Sequence, residues 1–189
     1  MTSPVALYDA CVLYPAPLRD LLMHLAVAGA CQARWSERIY DEWIRNVLAN
    51  RLDLRAEQLA RTRELMNAHA LDAIVTEFEP LIPTLTLPDP DDRHVLAAAI
   101  KGSVEVIVTY NLRDFPAEAL TPYRLEALHP DAFITQLIEL DASAVCLAVN
   151  RQRASLRNPS KTVQEMLDLY TNQRLVDTVA RLHDFVDLL

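Results

Sequence analysis

The sequence predicts an α/β fold built on a parallel sheet and followed by a helical extension. Three observations carry this. Up to about residue 140, short apolar and β-branched runs alternate with segments of helical periodicity, the pattern of parallel strands joined by crossover helices. Beyond that point the alternation stops and only helical patterns follow, which divides the chain into a core unit (1–140) and an extension (141–189). Apolar types make up 51% of the 189 residues, enough to enclose a core in a chain of this length.

Taken in order, Val5 to Tyr8 read as a short buried strand ending on the carboxylate of Asp9. Pro17 opens a helix to Ala28, with Leu18, Leu21, Leu22 and Leu25 at helical spacing and Gly29 as its stop. Ser36 caps a second helix that carries Ile39, Trp43 and Val47 on one stripe and ends near Asn50. Asp53 is expected to cap a third helix, with Leu59 and Met66 on its apolar side. Leu81 to Leu87 are expected to form an edge or irregular strand among Pro80, Pro83 and Pro88. Asp89-Pro90-Asp91-Asp92 starts the next helix, Val95 to Ile100 continue it, and Gly102 stops it. Val104 to Thr109 is the clearest strand, and Leu125 to Leu128 a last short one before a helix from Asp131 to Leu140. The extension reads as helices over 142–156, 162–170 and 173–188, with a turn at Asn158-Pro159-Ser160.

Composition excludes several function classes. Only Gly29 and Gly102 are glycine, so no glycine-rich phosphate loop exists. Cys11, Cys31 and Cys146 are odd in number and set among apolar neighbours, the pattern of buried free thiols in a reducing cytosol. No basic leader or apolar run approaching the ~20 residues of a membrane span is apparent, so a cytoplasmic protein without membrane contact is expected. Eighteen basic against 26 acidic residues give a net charge of −8, which taken whole argues against a nucleic-acid partner. The distribution says otherwise. Residues 64–141 carry four basic and fourteen acidic side chains, whereas 34–63 carry seven arginines against five acids and 151–174 five basic residues against two acids. On those flanks Arg45, Arg51, Arg151, Arg153 and Arg157 are candidates for RNA contact, or simply a solvated helix face.

Ligands of open parallel sheets bind at the carboxyl ends of strands. Asp9 follows the first strand; Thr109, Asn111 and Asp114 follow the clearest one; Asp91 and Asp92 open the helix that feeds it. Glu42 lies mid-helix beside Trp43. Acids gathered at one sheet end repel each other unless a cation joins them, and hard oxygen ligands select Mg²⁺ or Mn²⁺ over zinc. Asp91 and Asp92 also fit as helix caps, Glu42 as a solvated helix residue, and Asn111 and Asp114 as turn residues.

The order of an apolar strand ending in Asp9, a glutamate in IYDEWIRNVL, then DPDDRHVLAAAI and VIVTYNLRDF resembles the PIN-domain nucleases, most closely the VapC-like ribonuclease toxins. The resemblance spans residues 4–138 and implies a PIN-like three-layer α/β/α fold with a central parallel sheet. It places the family's four acids on Asp9, Glu42, Asp92 and Asp114, with Thr109 and Asn111 in support and Asp91 as the neighbouring alternative to Asp92. Asn111 stands where one pattern of the family has its fourth acid. Asp114, just before Phe115, matches the other pattern. The implied activity is Mg²⁺- or Mn²⁺-dependent endoribonuclease hydrolysis by the toxin of a toxin–antitoxin pair, with an RNA substrate, a cognate antitoxin and a homodimer as partners. The competing reading is a catalytically inactive PIN-like adaptor that binds nucleic acid or protein.

Overall fold

A computed structural model describes residues 3–189. After β1 (Val5–Tyr8) the chain makes one helical turn, α1 (Ala10–Leu13), and then α2 (Ala16–Val27). Gly29 ends α2 at φ +81°, the left-handed conformation that glycine adopts without steric cost, and Ala30 N–H closes back onto the Leu25 carbonyl. Next come β2 (Gln32–Arg34), α3 (Glu37–Asn50) and α4 (Ala56–His69). The Ser36 hydroxyl accepts from Ile39 N–H at 3.2 Å, the expected cap of α3. α5 (Arg93–Lys101), β3 (Val106–Val108), the short α6 (Ala117–Leu120) and β4 (Glu126–Leu128) complete the sheet unit.

The four strands are all parallel, in the order β2-β1-β3-β4. From β1 the chain moves one way to β2 and the other way to β3 and β4. With that reversal, the right-handed crossover rule for parallel strands assigns α2 to one face and the α3–α5 segment to the other, giving three layers. The reversal leaves a switch point between the carboxyl ends of β1 and β3, where Leu7 pairs with Ile107 and Tyr8 with Val108. Tyr8 is wholly buried and stacks on Trp35 at 6.2 Å, and meets Phe133 edge-on at 6.5 Å, so an aromatic cluster anchors the middle of the sheet.

The extension begins inside α7 (Pro130–Ser155), which breaks at Asp141 (φ −155°, ψ 84°). Asp141 accepts from Ala144 N–H at 3.0 Å and so caps the second half of the helix. α8 (Val163–Asn172) starts on a capping box between Thr162 and Glu165, and α9 (Val176–Leu182) follows. α7 is long and apolar enough to cross a membrane by length and composition, an unexpected feature that Glu139 and Asp141 mask in the sequence. Here its apolar residues Phe133, Ile134, Leu137, Val145 and Val149 are buried within the fold.

Three other expectations are corrected. Leu81–Leu87 is no strand: residues Glu79–Thr84 form a 3₁₀ turn, because Pro80 and Pro83 remove the N–H groups that a ladder needs. Asp53 caps nothing; it takes a two-pronged ion pair from Arg51 (2.8 and 2.7 Å), and Arg55 stands at the N-terminus of α4. β2 is an extra strand, three residues long and without apolar alternation, that extends as a bridge from Trp35 to Ile74.

Candidate active site

Asp9 leaves β1 at the switch point and is only 3% exposed. A buried carboxylate needs donors, and two converge on its Oδ2: the Thr109 hydroxyl at 2.7 Å and the Cys11 thiol at 3.0 Å. Thr109 is itself held by Asn111 N–H (2.9 Å), and Cys11 by Tyr110 N–H (3.3 Å). The ends of β1 and β3 are thus stitched through one carboxylate oxygen. Burial pushes the Asp9 carboxyl above its ordinary range, the Thr109 and Cys11 bonds oppose that, and the charge of Glu42 adds to it.

At the start of α5 the capping is done by Asp89, whose Oδ1 accepts from Asp91 N–H at 2.8 Å. Asp92 makes no capping bond, so its carboxylate stays available. It is pushed up to about 7, first by desolvation and then by the negative charges of Asp9, Asp114, Asp89 and Glu42. Asp91 is exposed and is not among the groups that shift it. Asp114 sits half-buried in the turn Leu112–Asp114, its N–H bonded to the Asn111 carbonyl at 3.0 Å, while Asn111 itself is exposed. Glu42, half-buried on α3, has its Oε2 3.3 Å from Nε2 of His94 on α5. Asp9, Glu42 and Asp114 therefore all lie within electrostatic reach of Asp92, and Glu42 within reach of Asp9. Among the described residues, however, no three His, Cys, Asp or Glu side chains are already arranged to hold a metal ion.

Two residues of this neighbourhood were not anticipated. Cys11 is half-buried rather than a buried thiol of the core, and it touches Asp9 directly. His94 is 3% exposed, with Nδ1 unpartnered; a lone histidine heading the apolar run VLAAAI was its only sequence signal.

The five arginines do not share one environment. Arg45 is exposed one helical turn beyond Glu42. Arg51 is neutralised by Asp53, Arg153 is half-buried and donates to the Lys161 carbonyl at 3.4 Å, and Arg157 is exposed beside the 158–160 turn. Arg151 lines a cavity of about 700 Å³ between α2, α4 and the extension that includes none of the four acids. A smaller cavity of about 320 Å³ opens beside Cys11, lined also by Pro15, Tyr110, Asn172, Gln173 and Arg174.

Residues 130–184 match the family model of the VapC50 C-terminal domain. The protein described as "Putative ribonuclease VapC50" of Mycobacterium tuberculosis (strain ATCC 25618 / H37Rv) is 42% identical over 82 residues, covering 43% of this chain and 48% of that protein. The match thus spans about half the length of this curated relative. No solved structure matches the chain significantly. The family model of the PIN domain matches residues 5–113, more than half of the chain, covering β1 to β3 with Asp9, Glu42 and Asp92 and ending one residue before Asp114. With the parallel sheet in the order β2-β1-β3-β4 and an acid at the end of its first strand, this chain belongs to the PIN-domain family.

Proposed function

We propose that the chain is a metal-dependent endoribonuclease that hydrolyses RNA phosphodiester bonds and is the toxin of a toxin–antitoxin pair. The observation that carries this reading is the buried carboxylate of Asp9 at the switch point, bonded to Thr109 and Cys11, with Asp92 near enough to feel its charge and those of Glu42 and Asp114. The donor set fits Mg²⁺ or Mn²⁺: all oxygens, with negative charge that no neighbouring lysine or arginine offsets among the groups shifting Asp92. When bound, such an ion supplies Lewis acidity, lowering the pKa of a water and neutralising charge on the phosphoryl group. The protein's part is positional. Thr109 and Cys11 fix the Asp9 carboxylate through Oδ2, so that it would present a positioned ligand to the ion. Asp92 and Asp114 would be the further ligands, and Glu42, steadied by His94, would orient the attacking water. The name of the curated relative supports ribonuclease chemistry. An antitoxin partner, a homodimer and a cytoplasmic setting belong to the same proposal.

The carboxylates' lack of a preassembled ion cage is the one observation that favours the inactive adaptor instead. A cleavage assay on defined RNAs separates the two. The protein is expected to cut with Mg²⁺ or Mn²⁺ and to stop with a chelator, and Asp9→Asn is expected to fall to background while melting as a folded protein. Cleavage that persists in chelator, or in folded Asp9→Asn, overturns the assignment; no cleavage with any metal favours the adaptor.

A further inference from the structure

The junction between α8 and α9 is fastened to the rim of the candidate site from two sides. The Tyr110 hydroxyl, one residue beyond Thr109, donates to the Gln173 carbonyl at 2.9 Å. Asp131, in the first turn of α7, accepts from the N–H groups of Asp177 (3.0 Å) and Thr178 (2.8 Å) and so caps α9. Between these anchors stands Arg174 at φ +61°, in a left-handed position after a helix end where glycine or asparagine is the usual residue. Leu175 N–H closes the turn onto the Tyr170 carbonyl at 3.1 Å. Keeping a residue with a Cβ there costs backbone strain.

The strain holds a guanidinium at a particular place. Arg174 is exposed, forms no ion pair among the described residues, and is the one arginine lining the cavity that opens beside Cys11, whose thiol touches Asp9. Burial raises the Tyr110 phenol to about 12, and the Arg174 charge works against that rise, so the two face each other closely enough to interact. A polynucleotide laid across four acids needs a cation at their flank, and an arginine fork suits a phosphate oxygen pair.

We propose that Arg174 binds a backbone phosphate of the RNA, so that the C-terminal helices complete the substrate-binding surface of the nuclease site. This rests on the nuclease reading above, and the test keeps the two apart. Binding of a short fluorescein-labelled single-stranded RNA of mixed sequence is measured by anisotropy at several salt concentrations, with Asp9→Asn as the parent so that no cleavage intervenes. Adding Arg174→Ala is expected to weaken binding by about tenfold or more. It should also flatten the dependence of log affinity on log salt by about 0.7, the share of one single-strand phosphate contact. Arg174→Lys should keep the salt slope. Arg174→Gly should melt higher than the parent, since glycine relieves the left-handed strain, yet lose the same affinity, which separates binding from folding. Unchanged affinity and slope in folded Arg174→Ala or Arg174→Gly, or no binding by the parent even at low salt, overturns the proposal. If Arg174 variants lose RNA affinity while the wild-type protein cleaves nothing with any metal, the contact stands and the enzyme reading falls.

Discussion

At the scale of single residues, Asp92 is where the site works against the fold. Its carboxyl is raised to about 7 by desolvation and by Asp9, Asp114, Asp89 and Glu42. A group whose folded pKa lies above its unfolded value near 3.8 binds more protons in the folded state, so it detracts from stability as pH rises through that window. Without metal, the loss should set in above about pH 4 and be complete above about pH 7. Asp92→Asn removes it. Because Asp92 is only half-buried, solvent screens much of the repulsion. The expected gain is therefore modest, roughly 2–4 °C in Tm, the shift that about 1 kcal/mol gives in a chain of this size. Melting both proteins in chelator checks it: the gain should be present at pH 8 and gone at pH 4, and an unchanged or lower Tm at pH 8 removes the repulsion argument. The same variant should lose metal-dependent cleavage. The four candidate acids can be picked out in the sequence because their types and spacing are local properties. Cys11 and His94 are not, since their roles arise from Thr109, 98 positions from Cys11, and from Glu42 on another helix.

At the scale of elements, what the sequence makes legible is whatever ends or begins locally. Ser36 before α3, Gly29 after α2, and the Asp89–Asp92 start with the Gly102 stop all stand where local chemistry predicts. What fails is decided by neighbours far along the chain. β2 exists because Gln32 to Arg34 find a partner in β1, and Glu79–Thr84 turns because its prolines cannot feed a ladder. The two glycines make this distinction measurable. At Gly29 a Cβ would meet nothing within 4 Å, so only the +81° φ resists substitution. Gly29→Ala is expected to cost roughly 1–2 kcal/mol, and Gly29→Asn less, because asparagine tolerates the left-handed region. Gly102 has an ordinary φ of −79°, but its Cβ would fall 2.9 Å from Val75 Cγ2 and 3.1 Å from the Ala98 carbonyl. Gly102→Ala should therefore cost about 1–3 kcal/mol by overpacking, and Gly102→Asn more. Urea unfolding with unchanged m-values gives both orders; asparagine helping at 102, or failing to help at 29, reverses the argument.

At the scale of the whole molecule, the question is whether 1–140 and 141–189 are two units or one. The bonds that cross the boundary point to one. Gln152 donates to the Pro17 carbonyl at 3.0 Å and accepts from the wholly buried Tyr170 at 2.6 Å, tying α7 and α8 to the start of α2. Tyr110 and Asp131 hold the α8–α9 junction from the other side. Gln152 is 1% exposed, so unfolding the extension alone would open a buried polar link and uncover apolar surface along α2. Both tryptophans, Trp35 and Trp43, are fully buried in the sheet unit, while the helices of the extension contribute strongly to the far-ultraviolet signal. Tryptophan fluorescence therefore reports the first segment alone, and circular dichroism reports the helices of both. With the boundary stitched as described, the two signals should give one transition with the same urea midpoint. Gln152→Ala should lower that shared midpoint by about 1–3 kcal/mol, the cost of leaving buried partners unpaired, without separating the two curves. A helical signal lost before the tryptophan signal, in either protein, would mean that the extension is a separate unit. The surface that Arg174 helps form would then depend on docking rather than on the fold.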